Sequence, residues 1–286
     1  MNDYKCISCN SKMTIIFPGW ILYCKKCALR RLLNRNSNQD INFDEKLYVS
    51  AHEKQRKVLF KDLINMMLKA GSIKNKKILD VGCSLGWFME ILNNYDGKSF
   101  GIDNEKKFIK SAYKNGHKVL VSEFPNTPFK NSFFDWIVFN DVFEHLKNLD
   151  SAIDEIKNLL NDNGMVLLFV PNKNSLIYLV SEILAKFGYH KPLERLWLKH
   201  YPFPHQTYFT RKNLSKLMKK NGFIEVSYDY KSYTSTVNIK SLMKIVKIDN
   251  SIGVMQALVL SVGLTVIRPI SKILGPDSII CIYKKG

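Results

Sequence analysis

Four cysteines near the start of the chain, Cys6, Cys9, Cys24 and Cys27, follow the pattern C-x2-C-x14-C-x2-C. Each C-x-x-C turn can aim two thiolates at one ion, and two such turns complete a tetrahedron. A closed set of four soft sulfur donors selects Zn²⁺ and leaves no open position for catalysis, so the expected role is structural. The competing reading, a redox dithiol, expects a single C-x-x-C at a strand–helix junction. Pro18-Gly19, between the apolar triplets Ile15-Ile16-Phe17 and Trp20-Ile21-Leu22, predicts a hairpin turn between the two knuckles. The remaining cysteines, Cys83 and Cys281, fall in strand-end and strand contexts and are expected to be inert core thiols.

A second constellation runs Ile78-Leu79-Asp80-Val81-Gly82-Cys83-Ser84-Leu85-Gly86, an apolar strand turning through glycines into a helix. Glycine lets the backbone approach a ligand and adopt positive φ. About twenty residues on, a second strand ends in Gly101-Ile102-Asp103-Asn104, and an acid at that position can accept hydrogen bonds from ribose hydroxyls. The dinucleotide fingerprint G-x-G-x-x-G is absent: only Gly82 and Gly86 are present, spaced G-x-x-x-G. Asp80, immediately before the turn, is poorly suited to a pyrophosphate and well suited to a cation. These features point to S-adenosylmethionine (SAM), which carries a sulfonium and a methionyl amine.

Methyl transfer is an in-line displacement, and a hydroxyl acceptor must also lose its proton. Asn140, Asp141, Glu144 and His145 follow the fourth strand of the pattern, and His205 lies in Pro204-His205-Gln206-Thr207-Tyr208. Histidine, with an ordinary pKa near 6.5, suits a general base. Asp141, Glu144, His145 and His205 could instead hold a divalent metal such as Mg²⁺, Mn²⁺ or Zn²⁺, or serve only the fold.

These residues need elements to carry them. Residues 1–30 form a short Cys-rich unit, and 31–75 read as a polar linker and an amphipathic helix with Val58, Leu59, Leu63, Met66 and Met67 at helical spacing. From Lys76, short β-branched or aromatic runs (77–81, 98–102, 118–121, 136–140, 165–170) alternate with helical patterns (87–94, 106–115, 151–160). Gly97, Gly116 and Gly164 are the expected helix stops. Such alternation argues for an α/β fold, a parallel sheet with helices on both faces. An aromatic and basic insertion at 173–210 precedes a helix near 211–221, a strand at 223–230 and a last strand at 278–283. A second insertion, 232–276, contains the uncharged run 251–267, expected to be a buried or interfacial helix.

ILDVGCSLGWF resembles the first motif of the class I SAM-dependent methyltransferases, with Ser84 where that family commonly has glycine. FGIDNEKKFIKSA, VSEFPNTPFKNSFFDWIVFNDVFEHL and LLNDNGMVLLFVPNKNS resemble the following blocks in order, over about residues 76–230 plus the last strand. The resemblance implies a Rossmann-like, seven-stranded, mostly parallel sheet. It implies SAM held by Asp80, Gly82, Cys83, Gly86, Asp103, Asn104, Glu123, Phe124 and Asn140, with Asp103 on the ribose and Glu123-Phe124 along the adenine. The Asp141-x-x-Glu144-His145 run is similar to the E-x-x-E-H pattern of some metal-assisted O-methyltransferases. A cysteine ribbon ahead of such a core resembles a bacterial subgroup found in surface-polysaccharide and natural-product pathways. In this fold the segment after the fifth strand, here 173–210, often roofs the acceptor.

The 286 residues are 46% hydrophobic and 24% charged, which excludes wholesale disorder, and the net charge is +18. Residues 61–171 are neutral; residues 1–60 carry +6 and residues 172–286 carry +12. The charge therefore lies with the acceptor side of the chain, and an anionic or lipid-linked small molecule or glycan is the expected acceptor. With no apolar leader in Met-Asn-Asp-Tyr-Lys-Cys, the expected setting is the cytoplasm, with contact at the inner membrane face. A ribosomal-RNA methyltransferase is the alternative, less favoured because no RRM or KH module is recognisable. A non-catalytic SAM-fold binding protein is the third reading, supported only by Ser84.

Overall fold

The computed structural model describes residues 4–16, 18–33, 45–232 and 275–286. The expected polar linker at 34–38 and the uncharged run 251–267 lie outside the described residues.

The N-terminal unit contributes β1 (Met13–Ile16), β2 (Ile21–Cys24) and β3 (Arg30–Leu32). β1 and β2 form the expected hairpin, with Ile16 opposite Ile21 and Gly19 at φ 89° in the turn. Helix α1 (Glu45–Ala70) leads into β4 (Lys77–Val81), α2 (Trp87–Asn93), β5 (Lys98–Asp103), α3 (Lys106–Lys114), β6 (Val119–Val121) and β7 (Phe134–Asn140). A 3-10 turn, Phe143–His145, precedes α4 (Leu149–Leu159) and β8 (Leu160–Pro171). The expected stop at Gly164 is not one: α4 ends at Leu159 and the strand begins at the next residue, so Gly164 lies within it. The insertion then folds as α5 (Leu176–Lys186), α6 (Lys191–Leu196) and the short β9 (Thr207–Tyr208), before α7 (Arg211–Lys220), β10 (Phe223–Lys231) and β11 (Ser278–Lys285).

Seven strands form one sheet in the order β10-β11-β8-β7-β4-β5-β6. β8, β7, β4, β5 and β6 are mutually parallel, and β11 runs antiparallel to both β8 and β10. Alternate residues of the central strands feed opposite layers, as the period-2 geometry of a strand requires. Ile78, Trp136, Val138, Leu167 and Ile280 meet Leu59, Leu63 and Met67 of α1 and Phe88 of α2. Leu79, Ile137, Phe139, Leu168 and Cys281 meet Ile153 and Ile156 of α4 and Leu214 and Leu217 of α7. Each such aliphatic side chain, fully buried, contributes about 1.5–3 kcal/mol. Val58 departs from the expected apolar stripe of α1: it is exposed.

The cysteine unit is built into this body. Its sheet, β1-β2-β3-β9, takes its fourth strand from the insertion after β8. Ile21 and Leu32 share a small core with Tyr178, Trp197 and Tyr208, while Cys6, Met13 and Cys24 join the layer that contains α4 and α7.

Candidate functional site

The crossover between β4 and α2 leaves a crevice at the carboxyl ends of the strands, where open α/β sheets bind ligands. Gly82 turns the chain with φ 72°; a Cβ there would stand 2.4 Å from Cγ2 of Val142, so only glycine fits. Ser84 also lies in the left-handed region, at φ 48°, which accounts for the glycine usual at that place in the resembling motif. Its backbone N–H donates to Oδ2 of Asp103 at 3.0 Å, and the N–H of Glu105 donates to Oδ1 at 2.9 Å. Asp103 is thereby held at the rim of the turn. Burial pushes its carboxyl above the usual range, against the pull of those N–H donors.

Asp80 is buried beneath the turn, and its Oδ1 accepts from Nδ2 of Asn140 at 3.3 Å. Desolvation raises its carboxyl to about 8. Two other buried polar atoms here have no partner: Oγ of Ser84 and Oδ1 of Asn140. Buried polar atoms left unpaired cost about 1–3 kcal/mol each, so their concentration around one Gly-rich turn fits a site completed by a polar, cationic ligand. The residues present therefore fit SAM.

Other expected cofactor residues are arranged differently. The Cys83 side chain points into a core of Met89, Ile109 and Val119, so only its backbone can face a ligand; burial pushes its thiol well up, as expected of an inert thiol. Cys281 is likewise buried, its thiol pushed up to about 12. Phe124 is buried edge-on against Phe139, with ring centroids 5.1 Å apart, while Glu123 and Asn104 are exposed.

At the end of β7 the chain brings together three of the five acceptor-side candidates, Glu144, His145 and His205. Glu144 is 0% exposed, and neither of its carboxylate oxygens has a hydrogen-bond partner. Nε2 of His145 lies 4.0 Å and Nε2 of His205 3.9 Å from Oε1 of Glu144, and the two imidazole centroids are 4.6 Å apart. Burial lifts the Glu144 carboxyl above its ordinary value and holds both imidazoles below theirs. Asp141 is not in this cluster: its Oδ2 pairs with Nη1 of Arg56 at 2.5 Å. Arg56 on α1 and Tyr208, which contacts His205, were not among the expected site residues. A basic residue in a long polar helix has no distinguishing spacing; Tyr208, three residues after His205, was the nearer signal.

The four cysteine thiols of the ribbon converge within 4.8 Å of one another. Cys6 and Cys27 Sγ are 3.5 Å apart, and Cys9 and Cys24 Sγ 3.4 Å. Four sulfurs about 2.3 Å from one ion would be about 3.8 Å apart, so the donor set and spacing fit Zn²⁺ with slight expansion. Interaction with Cys27 lowers the Cys6 thiol to about 5 and raises its partner.

Residues 52–227 match the family model described as a methyltransferase domain. The ubiquinone biosynthesis O-methyltransferase of Pelagibacter ubique is 30% identical over 123 residues, 40% of this chain and 50% of that protein. The chain spans about half the length of the curated relatives it matches. A SAM-dependent methyltransferase from Archaeoglobus fulgidus superposes with a TM-score of 0.55 at 19% identity, covering 83% of this chain and 99% of that one. A putative sarcosine dimethylglycine methyltransferase from Galdieria sulphuraria superposes with a TM-score of 0.56 at 13% identity, covering 87% and 94%. With a family match over more than half its length and this sheet order, the chain belongs to the class I SAM-dependent methyltransferases.

Proposed function

We propose that the chain methylates a hydroxyl of a sugar, a nucleotide-linked sugar or a lipid-linked glycan. Bound SAM supplies an electrophilic methyl group. The observation that carries the reading is the shared strand end: Asn140, which donates to Asp80, closes β7, Glu144 and His145 follow it by four and five residues, and His205 lies beside them. It sets a cation-binding group and proton-accepting groups along one strand end. Asp80 takes the positive charge of the bound cofactor, Asp103 takes the ribose, and the Glu144–His145–His205 cluster is assigned to the acceptor hydroxyl, as its proton acceptor or, with an ion bound, as the ligand set that lowers its pKa.

The insertion supports an amphiphilic or anionic acceptor. The turn between α5 and α6 carries Phe187, 86% exposed, and the exposed Tyr189, with Lys186 and Lys191 beside them. Aromatic and cationic side chains together suit a sugar face beside a phosphate, or the inner membrane face that carries a lipid-linked one. Among the described residues, no helix is long and apolar enough to cross a membrane. The ribbon holds a structural Zn²⁺.

The test supplies methyl-labelled SAM to the purified chain with three acceptor pools: nucleotide sugars, lipid-linked glycans and ribosomal RNA. Label in a saccharide pool as a base-stable ether is the expected result. Label in RNA alone would transfer the function to the alternative acceptor, and SAM binding with no label in any pool would favour a binding protein.

A further inference from the structure

We propose that Glu144, His145 and His205 form a second metal centre, separate from the cysteine ribbon, that binds one divalent transition ion beside the cofactor crevice. The acceptors beside the two rings fix where their hydrogens lie. Nδ1 of His145 lies 3.2 Å from the carbonyl oxygen of Pro204, which can only accept, so that nitrogen carries the hydrogen. The Tyr208 hydroxyl donates to the carbonyl of Leu196 at 2.7 Å and is therefore an acceptor toward Nδ1 of His205 at 3.3 Å. With Nδ1 bound to an acceptor at each ring, Nε2 is the atom each histidine offers as a ligand, and both face Oε1 of Glu144. They meet the Glu144 carboxylate, which has no donor of its own.

A carboxylate oxygen and two imidazole nitrogens gathered within 4.8 Å of one another, with the carboxylate hydrogen-bonded to neither ring, make the donor set of a shared ion. The Nε2–Oε1 separations of 3.9 and 4.0 Å are too long for hydrogen bonds. Two atoms each about 2.1 Å from one ion are separated by about 3.0 Å at a right angle and about 4.2 Å in line, so both separations fall within the span of a shared ion. Metal-bound histidines characteristically donate their other ring N–H to a carbonyl or similar acceptor, the arrangement seen at both rings. Two imidazoles and one carboxylate favour Zn²⁺, Fe²⁺, Co²⁺ or Mn²⁺ over Mg²⁺ or Ca²⁺, which prefer oxygen alone. Asp141, held by Arg56, is not a ligand. Three protein ligands leave a position open, which an acceptor oxygen can take; that use of the ion, though not its binding, rests on the function proposed above.

The test titrates the metal-stripped full chain with Co²⁺ and counts ions retained after gel filtration. Thiolate-to-cobalt absorption marks the ribbon. Wild type should retain two ions, one of them without a thiolate band; Glu144→Gln and His205→Ala should each retain only the thiolate-bound one, with its band unchanged. Wild type that retains no ion beyond the thiolate-bound one would overturn the proposal, as would two ions persisting in both variants. SAM binding, measured separately by calorimetry, tests the methyltransferase reading whichever way the metal count falls.

Discussion

The buried carboxyl of Asp80 should make SAM binding a proton-linked event. With a pKa of about 8, this group is about ten parts neutral to one part charged at pH 7, so the unliganded protein holds about 0.9 proton there. A cation placed against it favours the carboxylate, and binding should release that proton. Between pH 5.5 and 7 the association constant should therefore rise about tenfold per pH unit, or about 1.4 kcal/mol. Above about pH 7.5 the methionyl amine of free SAM itself begins to lose its proton, so the slope is read below that point. The sign for stability is opposite. A carboxyl whose folded pKa exceeds its unfolded value near 3.9 makes the folded state the better proton binder, so the unliganded protein should lose stability as pH rises from about 4 to 8. Calorimetry at pH 6.5 in two buffers of different ionisation enthalpy reads the proton directly. Asp80→Asn should abolish both the buffer dependence and the pH slope. S-adenosylhomocysteine, which keeps the ammonium and lacks the sulfonium, separates the two cations. Equal enthalpies in both buffers with a flat dissociation constant, or a slope that survives in Asp80→Asn, would refute the reasoning.

Gly82→Ala sets a Cβ 2.4 Å from Val142 in a left-handed conformation, and should cost about 2–4 kcal/mol in urea denaturation and weaken SAM binding; an unaffected variant would mean the turn does not approach Val142 so closely. Asp103→Ala should reduce SAM affinity by about 1–3 kcal/mol by calorimetry, the cost of losing a part-buried acceptor; equal affinity would remove it from the ribose site. Cys24→Ser should lower the thermal midpoint of the whole chain in a single transition, because Cys24 packs in the main core; a separate early transition that leaves the main one in place would show the ribbon to be independent.

Much of this was legible because it depends on local pattern. The strand–helix alternation, the glycine turn and the hairpin at Pro18-Gly19 are short-range consequences of residue type, and each appears where its residues predict it. Three things depended on tertiary contact. The direction of the Cys83 side chain is set by the Gly101 backbone, which leaves room for its sulfur where a Cβ would lie only 2.7 Å from it. Asp141 and Glu144 are one turn apart and looked equivalent, but Arg56, 85 positions before Asp141, took one and left the other buried. Phe124 is one residue from the exposed Glu123, yet the Phe139 ring draws it into the core. No spacing rule encodes such choices, because the deciding partner lies on another element.

The ribbon and the acceptor cluster, separate in sequence, are mechanically one structure. The N–H of Leu32, at the end of β3, donates to the carbonyl of Gln206 at 2.9 Å, and the N–H of Gln206 donates to the carbonyl of Glu144 at 2.8 Å. His205 immediately precedes that junction, and β9 immediately follows it in register with Arg30 and Arg31. On the other flank, Asn213 at the start of α7 donates to the carbonyl of Cys27 at 3.1 Å and accepts, through its own carbonyl, from the Ser8 hydroxyl at 2.7 Å. The cysteine knuckles therefore brace both ends of the stretch that presents His205 and Tyr208. A loop of aromatic and imidazole groups would sample many conformations if tethered only to α6 and α7, and an acid–imidazole cluster tolerates little misplacement. Pairing the loop as the fourth strand of the cysteine ribbon's sheet removes that freedom before any ligand arrives. This gives the cysteine ribbon a physical reason to accompany a methyltransferase core that does not require it to bind nucleic acid.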